Sequence, residues 1–509
     1  VTPESARTYT NPVLNADWSD PDVVRVGDDF YLTASSFGRA PGLPLLHSRD
    51  LVNWTLVGHA LDRLEPAHAF AAPRPDGGVW APSLRHHADR FWIFWGDPDQ
   101  GVFQVNAPEI RGPWTAPRLV KAGKGLIDPC PLWDEETGEA YLVHAWARSR
   151  SGIKNRLTGH RMHPDGTEVL DEGRVIVDGD RIPGWFTLEG PKLYRHDGWY
   201  WILAPAGSVG TGWQGAFRSR AFFGPYEERV VLEQGDTGVN GPHQGGWVRT
   251  GSGEDWFLHF QQRGAYGRVV HLQPMAWGAD GWPVLGDDGT PVAEHRRPAL
   301  PSQPPAEPAT CDDFPGGRHG RQWSWAANPR DGWATQHSGD GLRLACVRSE
   351  DAHDLRRLPS VLTQRLPGEP RVVEVELRLD SEEPGARAGL AVLGDAYRWI
   401  GLQRDADGAA QLVHRFAEPG AAAERDADTP RPAPQGRALL RVETVAGARC
   451  RFSCDLGDGP RPTGRDFAAT PWGWVGALLG LFALAPAGRG HAGSATFTRF
   501  RIGPRRTAA

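Results

Sequence analysis

The sequence predicts an all-β protein, a five-bladed β-propeller followed by a β-sandwich, on three observations. Five aromatic strands recur along the first 260 residues: Phe30-Tyr31-Leu32, Phe91-Trp92-Ile93-Phe94-Trp95, Tyr141-Leu142-Val143-His144, Tyr200-Trp201-Ile202-Leu203 and Phe257-Leu258-His259-Phe260. Their first residues lie 50 to 61 positions apart, the repeat of blades with about four strands each. After a proline-rich stretch at 297–310 that period disappears, and alternating strand-like runs with short turns replace it.

Within each repeat the elements follow in order. Turn clusters such as Gly27-Asp28-Asp29, His196-Asp197-Gly198 and Gly253-Glu254-Asp255 immediately precede the aromatic strands. A second half also recurs, as in His47-Ser48-Arg49-Asp50-Leu51-Val52-Asn53-Trp54, Glu109-Ile110-Arg111-Gly112-Pro113-Trp114 and Phe223-Gly224-Pro225-Tyr226. Turn, alternating strand and turn make the hairpin signature. No amphipathic helix is expected here. The segment from Arg297 to Pro308 reads as a stiff linker or wrap-around segment. Beyond it, strands are expected at 341–344, 371–377, 390–393, 438–442 and 495–502. This divides the chain into a propeller over 1–296, a linker over 297–310 and a sandwich over 311–509.

A chain of 509 residues is too long for one ordinary domain. Net charge of −6 gives no electrostatic case for nucleic acid or an anionic membrane. The compositional outlier is 22 tryptophans. Indole faces stack on sugar rings, but aromatics also fill β-rich cores, so composition leaves both readings open. Five scattered cysteines make no disulfide framework, and the C-x3-C pair at Cys450 and Cys454 lacks the partners of a zinc site. They read as buried free thiols. No transmembrane run and no signal peptide are visible, which weighs toward the cytoplasm; a trimmed leader would leave secretion or the periplasm as the alternative.

The chemistry lies 10 to 14 residues before each aromatic strand. There stand Asp20-Pro21, Trp80-Ala81-Pro82, Asp128-Pro129, Glu189-Gly190-Pro191 and Gly241-Pro242-His243. Equivalent positions of a propeller converge on one axis, so three carboxyls are expected to meet in one funnel. An isolated Asp-Pro is ordinarily a turn starter. The same position in three blades argues otherwise. Acid–base hydrolysis of a glycoside needs one carboxylate to activate water and one carboxylic acid to protonate the leaving oxygen. A third carboxyl raises the acid's pKa by like-charge repulsion.

These residues resemble family 43 of the glycoside hydrolases. The resemblance runs through Asn11-Pro12-Val13-Leu14, Ser19-Asp20-Pro21-Asp22, Ser35-Ser36-Phe37, Trp80-Ala81-Pro82-Ser83, Ile127-Asp128-Pro129, Leu188-Glu189-Gly190-Pro191 and Asp280-Gly281-Trp282-Pro283. It extends to a C-terminal concanavalin-like sandwich of the kind found in the family's β-xylosidases. It implies an inverting hydrolase with Asp20 as general base, Glu189 as general acid and Asp128 tuning and orienting the acid. Phe37 and Trp80 match aromatic walls of the sugar pocket, and Arg268 an arginine that hydrogen-bonds the sugar. Trp213 is expected either to line the pocket or to serve packing. His243, at the fifth axial position, matches a histidine that in some relatives helps hold a calcium ion, mostly through water; the alternative is a histidine hydrogen-bonded to water. Fructan-cleaving clans use Arg-Asp-Pro and Glu-Cys, where this chain has Ile127-Asp128-Pro129 and Glu189-Gly190. The expected activity is exo-acting release of xylose from β-1,4-xylo-oligosaccharides or arabinose-decorated xylan fragments, with α-L-arabinofuranosidase activity beside it. A dedicated α-L-arabinofuranosidase and a non-catalytic sugar-binding propeller are the alternatives. A sandwich loop is expected to close the pocket.

Overall fold

The computed structural model describes residues 7–336, 339 and 341–504. Five four-stranded antiparallel sheets follow one another along the first part of the chain. Their innermost strands are Asp22–Val26, Trp80–His87, Leu126–Asp134, Lys192–His196 and His243–Arg249. The aromatic strands predicted from the repeat are the second strand of every blade: Asp29–Thr33, Arg90–Asp97, Glu139–Trp146, Trp199–Ala206 and Asp255–Gln262. They are aromatic because both faces are covered. In blade 2, Phe91, Ile93 and Trp95 join a core shared with blade 1, while Trp92 and Phe94 join one shared with blade 3. A strand buried on both faces reads as a continuous apolar run, not as an alternation. Thr8–Thr10 pairs with Glu294–Arg296 and ties the two ends of the propeller together.

Among the described residues the one α-helix is Arg148–Ser151, a single turn between two strands of blade 3. The linker wraps the propeller: Ala299 N–H donates to Glu254 Oε2 at 2.7 Å, and Ala306 N–H to Asn53 Oδ1 at 3.1 Å.

The second unit is a sandwich of a nine-stranded and a seven-stranded sheet. All five expected strands are present, but strands at Tyr397–Arg404, Ala410–Ala417, Arg449–Asp455, Arg461–Ala468 and Leu478–Pro486 were not anticipated. The last has a clear reason. Leu479, Leu481, Ala483 and Ala485 face the core between the two sheets. Leu478, Phe482 and Leu484 face a second core that contains Phe37 of the propeller. The nine-stranded sheet is thus buried on both faces, and its outer face is where the sandwich docks. The seam is also hydrogen-bonded: Ala40 and Trp325 exchange backbone bonds, and Asn328 holds both backbone groups of Leu64.

Candidate active site

The axial motifs are built by local irregularity. Pairing of the inner strand slips between Trp80 and Ser83, Ile127 and Cys130, and His243 and Gly245. Inside each slip sits a residue with left-handed backbone: Ala81 at φ 32°, Asp128 at 56° and Gln244 at 41°. Asp20 at 55° and Gly190 at 59° occupy the same place just before the other two inner strands. Bulges re-aim side chains next to active sites, and left-handed non-glycine residues cost energy that the surrounding fold must supply. Aspartate tolerates that conformation better than most residues.

Asp20 is buried and held from two sides. Arg268 Nη1 donates to Oδ1 at 2.8 Å, and Ser35 Oγ donates to Oδ2 at 2.6 Å. Ser35 is fixed in turn, its Oγ accepting from the Ala81 N–H at 2.7 Å. Arg268 packs over Phe260, 4.7 Å from the ring centroid, and its Nε has no protein partner. Asp20 is thereby an oriented acceptor paired with a guanidinium.

Asp128 is also buried but receives only the Gly190 N–H, at 2.8 Å on Oδ2. Its pKa is pushed well above the usual carboxylate range. Burial is the main cause, followed by repulsion from Glu189 and then from Asp20; the Gly190 bond and Lys192 pull the other way. The three carboxyls therefore meet as the sequence expected, and the raised one is Asp128 itself. In such a coupled group the retained proton belongs to the set. Glu189 keeps a quarter of its side chain exposed, and its Oε1 lies 3.1 Å from His243 Nε2.

Lys192 lies beneath the carboxyls, fully buried. Its ammonium donates to the Pro82 carbonyl at 2.8 Å and to Ser83 Oγ at 2.9 Å, and stands 3.9 Å from Asp22.

Aromatic walls flank this cluster. Phe37 and Trp80 are 6.3 Å apart. Trp80 in turn meets Trp474 of the sandwich edge-to-face at 6.2 Å. Trp474 is half exposed at the tip of a turn closed by paired backbone bonds between Trp472 and Val475. Trp213 starts the third strand of blade 4 and meets Trp185 and Phe186 edge-on, both at 5.8 Å. The indole N–H groups of Trp80 and Trp213 have no protein acceptor.

His243 is fully buried with Nδ1 unpartnered. Among the described residues, no three His, Cys, Asp or Glu side chains cluster as a metal site. One imidazole offers calcium nitrogen where it prefers oxygen. The donor set does not fit a directly ligated calcium ion, and no step below runs through one.

Sequence reasoning missed Ser35, Lys192 and Trp474. Ser35 lay inside the matched motif Ser35-Ser36-Phe37. Trp474 had a signal of its own, two tryptophans interleaved with glycine at 472–476.

Residues 9–283 match the glycosyl hydrolases family 43, and residues 311–503 the beta xylosidase C-terminal concanavalin A-like domain. A putative beta-xylosidase of Xylanibacter ruminicola is 39% identical over 415 residues, covering 78% of this chain and 73% of its own length. A non-reducing end alpha-L-arabinofuranosidase of Bacteroides ovatus is 32% identical over 356 residues, 66% of this chain and 65% of its own. The solved structure titled Bacteroides ovatus Xyloglucan PUL GH43B superposes with a TM-score of 0.84 at 25% identity, over 97% of this chain and 99% of that one.

Proposed function

The chain belongs to family 43 of the glycosyl hydrolases, and we propose that it is an exo-acting β-xylosidase that also releases terminal α-L-arabinofuranose, with inversion. One observation carries the reading: of three converging carboxyls, one is clamped by an arginine and a serine, and another stays partly open to solvent. Asp20 is the base. It takes a proton from water as the water oxygen bonds to the anomeric carbon. Glu189 is the acid, giving its proton to the leaving oxygen as the old bond to that carbon breaks. His243 orients Glu189, and the raised pKa of Asp128 lets the cluster hold a proton above the usual carboxylate range. Phe37, Trp80 and Trp213 are the aromatic faces left for the sugar, and Arg268 is the cation beside it.

Xylose as the released sugar is supported by the relatives named beta-xylosidase and by the concanavalin-like domain of beta-xylosidase type. The arabinofuranosidase of Bacteroides ovatus favours the second reading, a dedicated arabinofuranosidase. Comparing turnover of aryl β-xylosides and aryl α-L-arabinofuranosides ranks the two.

Glu189→Gln tests the acid. We expect a loss of about 10²–10⁴-fold on xylobiose and a far smaller one on an aryl xyloside whose leaving group needs no proton. Equal losses on both would remove Glu189 from that role. Proton NMR of the first product should show α-xylose; early β-xylose means retention.

Trp474 sets the exo character by walling off the pocket beyond the terminal sugar. Trp474→Ala should raise KM for xylobiose severalfold, while kcat on aryl xylosides stays within about twofold, as loss of one ring contact predicts.

A further inference from the structure

Among the buried carboxylates that the mechanism does not use, Asp17 bridges the two domains. Asp17 is 2% exposed and stands where the propeller meets the sandwich. Its two oxygens serve different domains. Oδ1 accepts from the backbone N–H of Arg268 at 2.9 Å and from Ser19 Oγ at 2.9 Å. Oδ2 accepts from the backbone N–H of Gly476 at 3.1 Å. Arg268 is the residue that clamps Asp20, and Gly476 closes the turn that carries Trp474 to Trp80.

The backbones are shaped to converge on this carboxylate. A Cβ on Gly267 would lie 2.5 Å from the Asp17 Cβ, and one on Gly476 only 2.7 Å from the Gly267 nitrogen. Real atoms do not approach so closely, so both positions require glycine. Neighbouring bonds lock the arrangement. Trp18 N–H donates to the Arg268 carbonyl at 2.9 Å, and Ala477 N–H to the Ala265 carbonyl at 2.7 Å. Arg365 of the sandwich donates to the Asp17 carbonyl and lies over the Trp18 ring, 3.6 Å from its centroid. Burial, then the like charge of Arg39, bring the Arg365 guanidinium down to about 9, and Asp17 is the acid that opposes them.

We propose that Asp17 is a positioning residue that links docking of the sandwich to the geometry of the general base. The proposal rests on the reading of Asp20 as that base. Asp17 touches neither water nor sugar. It fixes the backbone from which Arg268 reaches Asp20, and it does so at full strength only while the Trp474 turn is seated on its other oxygen. Catalysis thus needs both domains in register.

Three variants and a control test it in the full-length protein. In Asp17→Asn, the amide keeps one acceptor oxygen, so only one of the two backbone N–H groups is still accepted. In Asp17→Glu, the charge facing Arg39 and Arg365 is kept but the carboxyl moves by one methylene. At a temperature where thermal melts show each variant folded, both should lose about tenfold or more in kcat, the size expected of a small misplacement. The loss should be equal on xylobiose and on activated aryl xylosides, because base geometry matters to every leaving group. A seam residue that only stabilises would lower Tm and leave kcat within twofold. Wild-type kcat in Asp17→Glu, or a loss confined to poor leaving groups, overturns the proposal. Gly476→Ala, whose Cβ would press on the Gly267 backbone and unseat the turn, should reproduce the uniform loss; unchanged kcat there overturns the coupling. Asp20→Asn separates this from the underlying reading. If Asp20→Asn is dead and the Asp17 variants are wild type, only this proposal fails. If Asp20→Asn stays active, the base assignment itself is wrong.

Discussion

Blades 1 and 3 open alike. Asp20-Pro21 and Asp128-Pro129 stand at the same axial position, with φ of 55° and 56°, and both aspartates are buried. Their surroundings differ. Asp20 faces a guanidinium and a hydroxyl. Asp128 faces one backbone N–H and two other carboxyls. The same dipeptide in the same backbone is a clamped acceptor in one blade and, with its raised pKa, a proton holder in the other. What separates them comes from elsewhere in the chain: Arg268 from blade 5, Ser35 from the loop after the second strand of blade 1, and Glu189 ahead of blade 4. A propeller repeats its backbone and varies its rim, and the chemistry is in the rim.

The largest test of this difference removes the clamped member. Asp20→Asn should cost about 10⁴-fold in kcat, the upper end of what one positioned base supplies. Because every substrate needs water attack, xylobiose and activated aryl xylosides should fall together. Turnover near wild type would erase the distinction between the blades.

A smaller effect is expected from the group that makes Asp20 different. Arg268→Lys keeps a cation but loses the planar fork that reaches Asp20 through Nη1. We expect a fall of about 10–10²-fold in kcat/KM, shared between kcat and KM, as for a small misplacement of catalytic groups. Wild-type kinetics would mean that Ser35 alone orients the base.

Much of this was legible in the sequence, and the limits are physical. The blade period was readable because each second strand is buried on both faces and runs as an unbroken aromatic stretch. The axial motifs were readable because in four of the five a proline directly follows the left-handed residue, as in Asp20-Pro21, Ala81-Pro82, Asp128-Pro129 and Gly190-Pro191. Leu478–Pro486 went unread because a strand feeding two cores has lost its alternation, here with no repeat to reveal it. Asp17 carries no motif of its own, and the Trp-Gly run around Trp474 does not say what it meets. Their importance arises where the chain folds back across a separation of 459 positions to bring Gly476 onto Asp17, and no local pattern encodes such a contact. His243, expected on the axis, has Glu189 as its neighbour in the structure.

The smallest effect concerns stability, and its sign is what matters. The folded state raises the pKa of Asp128, chiefly by burial and then by Glu189 and Asp20. The folded protein therefore binds a proton that the unfolded chain releases at ordinary carboxylate pH. Linkage fixes the direction: this contribution to stability is fully present below the unfolded pKa and is lost as pH rises through the folded one. Asparagine cannot ionise, and its side-chain oxygen still accepts from Gly190. Asp128→Asn should thus melt close to wild type near pH 4 and above it near pH 7, while activity falls about tenfold or more as the cluster loses its proton holder. The same substitution made at Asp20 should not gain stability, because its buried guanidinium would lose the charge that compensates it. Thermal melts of both variants at the two pH values decide the matter. If Asp128→Asn is destabilised more at pH 7 than at pH 4, then Asp128 is ionised in the folded protein, and the contrast between the two blades has been read backwards.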